Sequence, residues 1–151
     1  KDDAGVIARA EKHKKTVQII SKEALNAYTD QIIDFLNTEK IDLIILAGFL
    51  LKIPEKLVKA FPEKIINIHP SLLPSYGGSG MYGMNVHKAV INNNEKESGI
   101  TVHFVNEEYD KGKIILQEKV SLSPTETPES LAQKIHELEY KFFPQAVERL
   151  L

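Results

Sequence analysis

Two polar side chains that could meet a reacting oxygen lie at the end of an apolar run. The run Ile65–Pro70 (IINIHP) is rich in β-branched residues, which favour strands. Pro70 cannot donate to a sheet ladder, so the predicted strand ends near His69. Asn67 and His69 are two residues apart and therefore point to the same side of an extended chain. Ligands bind at this end of the strands in open α/β sheets, although a turn would explain Asn67 and Pro70 equally well.

The elements expected around these residues alternate between strands and helices. Ser21 and Thr127 are typical N-caps, and the nearly continuous apolar run at 41–47 is typical of a central parallel strand. The alternation favours an α/β fold, a three-layer αβα sandwich with a mostly parallel sheet. Strands are predicted at 16–20, 41–47, 64–68, 100–106 and 114–120, and helices at 6–13, 21–39, 55–60, 85–91 and 128–150.

Composition narrows the class of protein. The 151 residues, 42% of them hydrophobic and 26% charged, suit one soluble globular domain. A net charge of -2 gives no general attraction to nucleic acid or anionic membranes. The absence of cysteine excludes disulfides and thiolate catalysis within these residues and fits a cytoplasmic protein. Five histidines without cysteine give no metal signal.

Two longer stretches resemble one known family. Asn67–Pro74 (NIHPSLLP) and Ser98–Gln117 (SGITVHFVNEEYDKGKIILQ) resemble the signatures of the folate-dependent formyltransferases, in particular those that formylate glycinamide ribonucleotide in purine biosynthesis. The resemblance implies a Rossmann-like fold, 10-formyltetrahydrofolate as co-substrate without a metal, and a catalytic trio of Asn67, His69 and Asp110. From the residues alone, Asp110 before Lys111 and Gly112 is equally well explained as a turn residue.

The implied chemistry is acyl transfer. An amine attacks the formyl carbon and the formyl oxygen takes up negative charge, so the site must donate to that oxygen and move a proton. The Asn67 amide is a neutral donor, and a protonated His69 would be a stronger one. Because free histidine has a pKa of about 6.5, Asp110 is expected to keep His69 protonated near neutrality.

The resemblance also implies residues that bind the two substrates. His136 and Glu139, which share a face of the last helix, are expected near the ribose of the ribonucleotide. Leu51 stands where many members carry an arginine, so that contact with folate is expected to be absent or to be made by Lys52 or Lys22. The expected folate-binding residues are Leu50, Leu51, Lys52, Ile53, Lys22, Asn67, Asn106, Glu107 and Asp110.

Other apolar residues and histidines have simpler explanations. Leu46, Ile53, Val58 and Val102 are candidate walls of the folate site, but plain core packing explains each of them as well. His13 is expected at the surface, and His87 and His103 are more simply explained as structural residues than as catalytic ones.

Three alternatives stay open beside the ribonucleotide enzyme. They are formyltetrahydrofolate deformylase, which shares the trio but delivers water; methionyl-tRNA formyltransferase, which needs a basic extension; and a fragment without catalysis. The family carries a first strand and a glycine-rich phosphate loop that residues 1–151 do not contain. The sequence is therefore interpreted as a single formyltransferase domain, N-terminally truncated, inactive by itself, and either monomeric or homodimeric. The expected partners are small molecules and neither nucleic acid nor membrane.

Overall fold

A four-stranded sheet is the frame of the computed structural model, which describes residues 4–151. The sequence predicts a loop at residues 1–5, of which residues 1–3 lie outside the described part, whereas Gly5 begins a helix. In chain order the elements are α1 (Gly5–Lys12), α2 (Lys22–Ala27), α3 (Thr29–Thr38), β1 (Ile44–Leu46), α4 (Glu55–Ala60), β2 (Ile65–His69), α5 (Met84–Asn92), β3 (Glu97–Phe104), β4 (Ile114–Ser121) and α6 (Pro128–Glu148).

The sheet is mixed. The strand order is β1-β2-β3-β4, with a parallel pair between β1 and β2 and antiparallel pairs from β2 to β3 and from β3 to β4. The connection from β3 to β4 is too short for a crossover, so these strands form a hairpin. The predicted α/β class is confirmed, but pairing in the described sheet is not mostly parallel.

Helices cover both faces of the sheet. Ile65 and Ile66 are adjacent on β2, so their side chains point to opposite faces, and each is 1% exposed or less. Ile66 belongs to a core with Val86 on α5 and Ile135 on α6. Ile65 belongs to a second core with residues of α4, and part of α3 packs against it. Burial on both faces produces the three layers that the sequence predicts.

The strand predicted at 16–20 is wrong. This segment has no regular secondary structure, and its Ile19 and Ile20 are 57% and 46% exposed. Among the described residues β1 pairs only with β2, so no strand edge receives the segment. β-branched residues favour strands only where a neighbouring strand supplies a ladder and a surface to pack on.

The helix predicted at 21–39 is divided in two at Tyr28, whose backbone departs from helical geometry with φ -117° and ψ 29°. The buried Thr29 hydroxyl donates to the Leu25 carbonyl at 2.8 Å, so a side chain competes for the backbone hydrogen bonds of the helix. Both predicted N-caps are confirmed. The hydroxyl of Ser21 accepts from Ala24 N and that of Thr127 from Ser130 N, each at 3.1 Å.

Gly99 in β3 provides a test of the close packing between β3 and β4. A Cβ added at Gly99 would lie 2.0 Å from the Glu118 carbonyl oxygen and 2.6 Å from Leu72 Cδ2. We expect Gly99→Ala to lower the free energy of unfolding by about 1–3 kcal/mol, the usual cost of overpacking. Urea denaturation monitored by circular dichroism measures the change.

Gly5→Ala is the matched control, because a Cβ at Gly5 meets no atom within 4 Å. Since alanine has the higher helix propensity, this variant should be as stable as the wild type or slightly more so. Equal stability of the two variants would contradict the packing described for Gly99.

Candidate active site

The register between β2 and β3 brings four polar side chains to one face of the sheet. Asn67 lies opposite His103 and His69 lies opposite Thr101. Residues directly opposite in an antiparallel pair have neighbouring side chains on the same face. The alternation of β2 and of β3 therefore delivers two neighbouring polar pairs at the carboxyl end of β2.

Thr101 fixes the chain that leaves β2. Its buried hydroxyl donates to the Ser71 carbonyl at 2.7 Å and accepts from the Leu73 amide at 3.0 Å. Gln117 on β4 donates to the same hydroxyl at 2.9 Å and to the Leu73 carbonyl at 2.8 Å. These bonds tie the segment after Pro70 to two strands, and that segment in turn holds the His69 ring.

The two ring nitrogens of His69 have different surroundings. Nε2 donates to the Tyr76 carbonyl at 2.7 Å, and Nδ1 lies 3.7 Å from Oδ1 of Asp110. Burial lowers the pKa of His69, and the charge of Asp110 and the bond to Tyr76 offset this only in part. The expectation that Asp110 keeps His69 protonated near neutrality is therefore wrong. Desolvation of the buried ring outweighs the attraction of the carboxylate.

Asp110 is held by groups from three segments. Its Oδ2 accepts from the Gly78 amide at 2.8 Å, and its Oδ1 lies near His69 and 3.6 Å from His103 Nε2. Burial raises the pKa of Asp110, but contact with His103, the Gly78 hydrogen bond and the nearby His69 together outweigh it, so the pKa is lowered. The carboxylate is accordingly ionised at neutral pH.

His103 is a member of the site that the sequence interpretation did not include. The ring is 2% exposed, and its Nε2 lies 3.3 Å from Nδ2 of Asn67. Its Nδ1 donates to the Phe104 carbonyl at 2.8 Å. The alternation of residues 100–104 could have indicated this role, because it places Thr101 and His103 on the polar face of a strand.

A cleft of about 760 Å³ opens on the trio. Asn67, His69 and Asp110 line it together with residues of α6. Glycine-rich residues 78–83 form a further wall. Both predicted ribonucleotide residues, His136 and Glu139, line this cleft, so the structure brings them together with the trio.

Two groups that line the cleft, the half-buried Glu139 and the buried His87, have altered pKa values. Burial raises the pKa of Glu139, and nearby His136 partly offsets the effect. Burial lowers the pKa of His87, whose Nδ1 has no hydrogen-bond partner among residues 4–151. Both side chains face a space that could receive a polar ligand.

A smaller cavity of about 60 Å³ adjoins the cleft, and Asn67 and Asp110 line both spaces. Of the predicted folate residues, Leu51, Lys52, Ile53 and Asn106 also line the small cavity. Leu50 lines the large cleft instead, and Lys22 and Glu107 line neither of the two.

All four candidate walls belong to the hydrophobic cores or pack against them. Leu46 and Ile53 also line the small cavity, whereas Val58 and Val102 line neither space. In residues 4–151 no group of three or more His, Cys, Asp or Glu side chains is arranged to hold a metal ion. Within the same range no helix has both the length and the apolar character needed to span a membrane.

The His69–Asp110 pair can be tested by NMR. We expect Asp110→Asn to lower the pKa of His69 below its wild-type value, because the variant removes the one neighbouring charge that raises it. A pH titration of the His69 ring Cε1 proton measures the change. Glu107→Gln, which removes an exposed charge of the same loop, should shift the pKa less. An unchanged or higher pKa in Asp110→Asn would contradict this arrangement.

Comparisons with known proteins identify the family. The family model described as "Formyl transferase" matches residues 1–147. The chain is 39% identical over its full length to phosphoribosylglycinamide formyltransferase of Bacillus subtilis, and covers 76% of that protein. It is 47% identical over 78% of its length to the chloroplastic phosphoribosylglycinamide formyltransferase of Arabidopsis thaliana, of which it spans 40%.

Solved structures give the same result. The phosphoribosylglycinamide formyltransferase of Bacillus halodurans superposes on the whole chain with a TM-score of 0.85 and 34% identity, and 77% of that chain is covered. The Streptococcus pneumoniae enzyme of the same name superposes on 99% of the chain with a TM-score of 0.88 and 28% identity, and 82% of it is covered. The sequence signatures, the mixed sheet and these similarities lead to one conclusion: the chain belongs to the formyl transferase family.

Proposed function

We propose that the protein transfers a formyl group from 10-formyltetrahydrofolate to the amine of glycinamide ribonucleotide, a step of purine biosynthesis. The observation that carries the proposal is the convergence of Asn67, His69 and Asp110 where a large cleft meets a small cavity. The relatives named phosphoribosylglycinamide formyltransferase support the choice of substrates.

Two adjoining spaces suit a reaction between two substrates. The large cleft, with Glu139 and His136 on its α6 wall, is the candidate site of the ribonucleotide. The small cavity, with Leu51, Lys52 and Ile53, is the candidate site for part of the folate. Asn67 and Asp110 line both spaces, so the formyl carbon would pass between the substrates beside these two side chains.

Asn67 and Asp110 would have complementary roles in the transfer. The amine nitrogen forms a bond to the formyl carbon, and negative charge develops on the formyl oxygen before the bond from that carbon to the folate nitrogen breaks. The Asn67 amide would donate to this oxygen. The ionised Asp110 would attract the proton that the amine releases.

His69 can complete the proton transfer through Nδ1. Nε2 is bonded to Tyr76, so Nδ1 is the nitrogen free to take up a proton, and it lies beside Asp110. The imidazolium formed in this way is stabilised by the carboxylate. Return of the same proton to the leaving folate nitrogen balances the reaction, because the amine loses one proton and the folate nitrogen gains one.

An assay of the full-length protein tests the proposed function. With both substrates present, we expect formation of tetrahydrofolate and formylated ribonucleotide in equal amounts. Without the ribonucleotide, folate turnover should be slower by at least about 10², since the positioned amine replaces water as the nucleophile. Release of formate at a similar rate with and without the ribonucleotide would identify a hydrolase instead.

Asp110 provides the first kinetic prediction. In the full-length protein, we expect Asp110→Asn to lower kcat by about 10² or more, as for a lost acid–base group. The affinity for folate should change little, because the asparagine oxygen can still accept from the Gly78 amide. This bond would hold the segment between β3 and β4 in place. Steady-state kinetics and folate titration by fluorescence measure the two effects.

Glu129→Gln is the control for this loss of charge, because Glu129 is exposed in the first turn of α6, and it should leave kcat unchanged. Equal losses of folate affinity and kcat in Asp110→Asn would make Asp110 a binding residue rather than a proton acceptor.

Glu139 provides the second kinetic prediction. Glu139→Gln should raise KM for the ribonucleotide by about tenfold or more, the effect of losing a hydrogen bond to a charged group, with a smaller change in KM for folate. The matched control is Glu137→Gln, an exposed residue of α6 that does not line the cleft. An increase in KM for folate alone would contradict the assignment of Glu139 to the ribonucleotide.

A further inference from the structure

Hydrogen-bond partners define the state of the buried His103 ring. Nδ1 lies 2.8 Å from the Phe104 carbonyl oxygen, which can only accept, so Nδ1 carries a hydrogen. In the neutral form of this ring, which has a single N–H, Nε2 carries the lone pair. The nearest partner of Nε2 is Nδ2 of Asn67 at 3.3 Å, and this amide nitrogen is a donor.

We propose that His103 is a positioning residue that fixes the orientation of the Asn67 amide for formyl transfer. This inference rests on the proposed function. An asparagine amide presents an NH₂ group at one end and an oxygen at the other, and only the NH₂ can stabilise a negatively charged formyl oxygen. By accepting one amide hydrogen, Nε2 holds the NH₂ in place and leaves its second hydrogen available to the substrate.

The alternative amide orientation would be unfavourable. A rotation of the Asn67 amide by half a turn would bring its oxygen against the Nε2 lone pair of His103. This contact places an acceptor against an acceptor, so His103 favours the orientation in which the Asn67 NH₂ group faces Nε2.

The acceptor of the His103 Nδ1 hydrogen is itself fixed by the fold. The Phe104 amide donates to the Lys113 carbonyl at 2.9 Å, which holds this residue against the start of β4. A Cβ added at Gly112 would lie 1.6 Å from the Phe104 oxygen and 3.5 Å from His103 Nδ1. Gly112 therefore packs directly against the carbonyl that accepts from His103, and this close contact fixes the position of the acceptor.

NMR tests the contact without reference to activity. We expect long-range ¹H–¹⁵N correlations of the protein with ¹⁵N-labelled histidine to show that the neutral His103 ring carries its hydrogen on Nδ1. The side-chain NH₂ signals of Asn67 should shift in His103→Leu. A hydrogen on Nε2 of His103, or no change at Asn67, would overturn the proposal.

Kinetics of the full-length protein test the role. We expect His103→Leu to lower kcat by about tenfold or more through misorientation of the donor, with little change in the affinity for either substrate. His103→Gln should retain most of kcat, because its amide oxygen can accept from Asn67 at the place of Nε2. The control variant is His13→Leu, because His13 is an exposed residue at the end of α1. This variant should behave as the wild type.

A double-mutant cycle separates positioning from a structural role. If His103 acts through Asn67, the substitution His103→Leu should change kcat less than about threefold in an Asn67→Ala background. Full additivity, or failure of His103→Gln to exceed His103→Leu, would overturn the proposal. Absence of formyl transfer by the wild type would instead contradict the proposed function. The NMR experiment would still show whether His103 Nε2 accepts a hydrogen bond from Asn67.

Discussion

The antiparallel register between β2 and β3 is the constraint on which the whole site depends. On the core face this register places Ile66 opposite Phe104 and Ile68 opposite Val102. On the other face the same register pairs Asn67 with His103. A shift by one residue would exchange the two faces and turn the polar side chains toward the core that contains Ile66. The burial of apolar side chains therefore sets the geometry of the polar ones, although none of the apolar side chains takes part in the chemistry.

The second constraint is electrostatic, because His69 and Asp110 differ in how far their surroundings compensate for burial. Burial disfavours the charged form of both groups, but the contact with His103 and the hydrogen bond from the Gly78 amide together stabilise the charge of Asp110. The bond of His69 to the Tyr76 carbonyl is a smaller effect than its desolvation. The resting site therefore combines an ionised carboxylate with a neutral imidazole. Such a pair can accept a proton during the reaction, and the new charge on His69 would then be formed next to its counter-ion.

Sequence patterns correctly predict the structural features that depend on neighbouring residues in the chain. The strand before Pro70 and the caps at Ser21 and Thr127 depend on backbone chemistry within a few residues, and the structure confirms them. The segment 16–20 was misinterpreted because strand formation requires a partner that a local pattern does not reveal. The protonation of His69 was misjudged for a similar reason, because desolvation depends on the folded surroundings. Asp110 was indicated only by the family resemblance, and His103 required the register between two strands.

The segment after β2 is more than a connection, because it holds both members of the His69–Asp110 pair. Tyr76 adopts a left-handed backbone with φ 57°, which bulky residues rarely adopt, and its carbonyl accepts from His69. Its hydroxyl donates to Glu95 at 2.6 Å and accepts from Asn93 at 2.9 Å, so the unusual conformation is fixed at the end of α5. Two residues later the amide of Gly78 donates to Asp110. One short segment thus determines which nitrogen of His69 faces Asp110 and which oxygen of Asp110 remains near His69. The strained backbone at Tyr76 therefore helps to set the geometry of the His69–Asp110 pair.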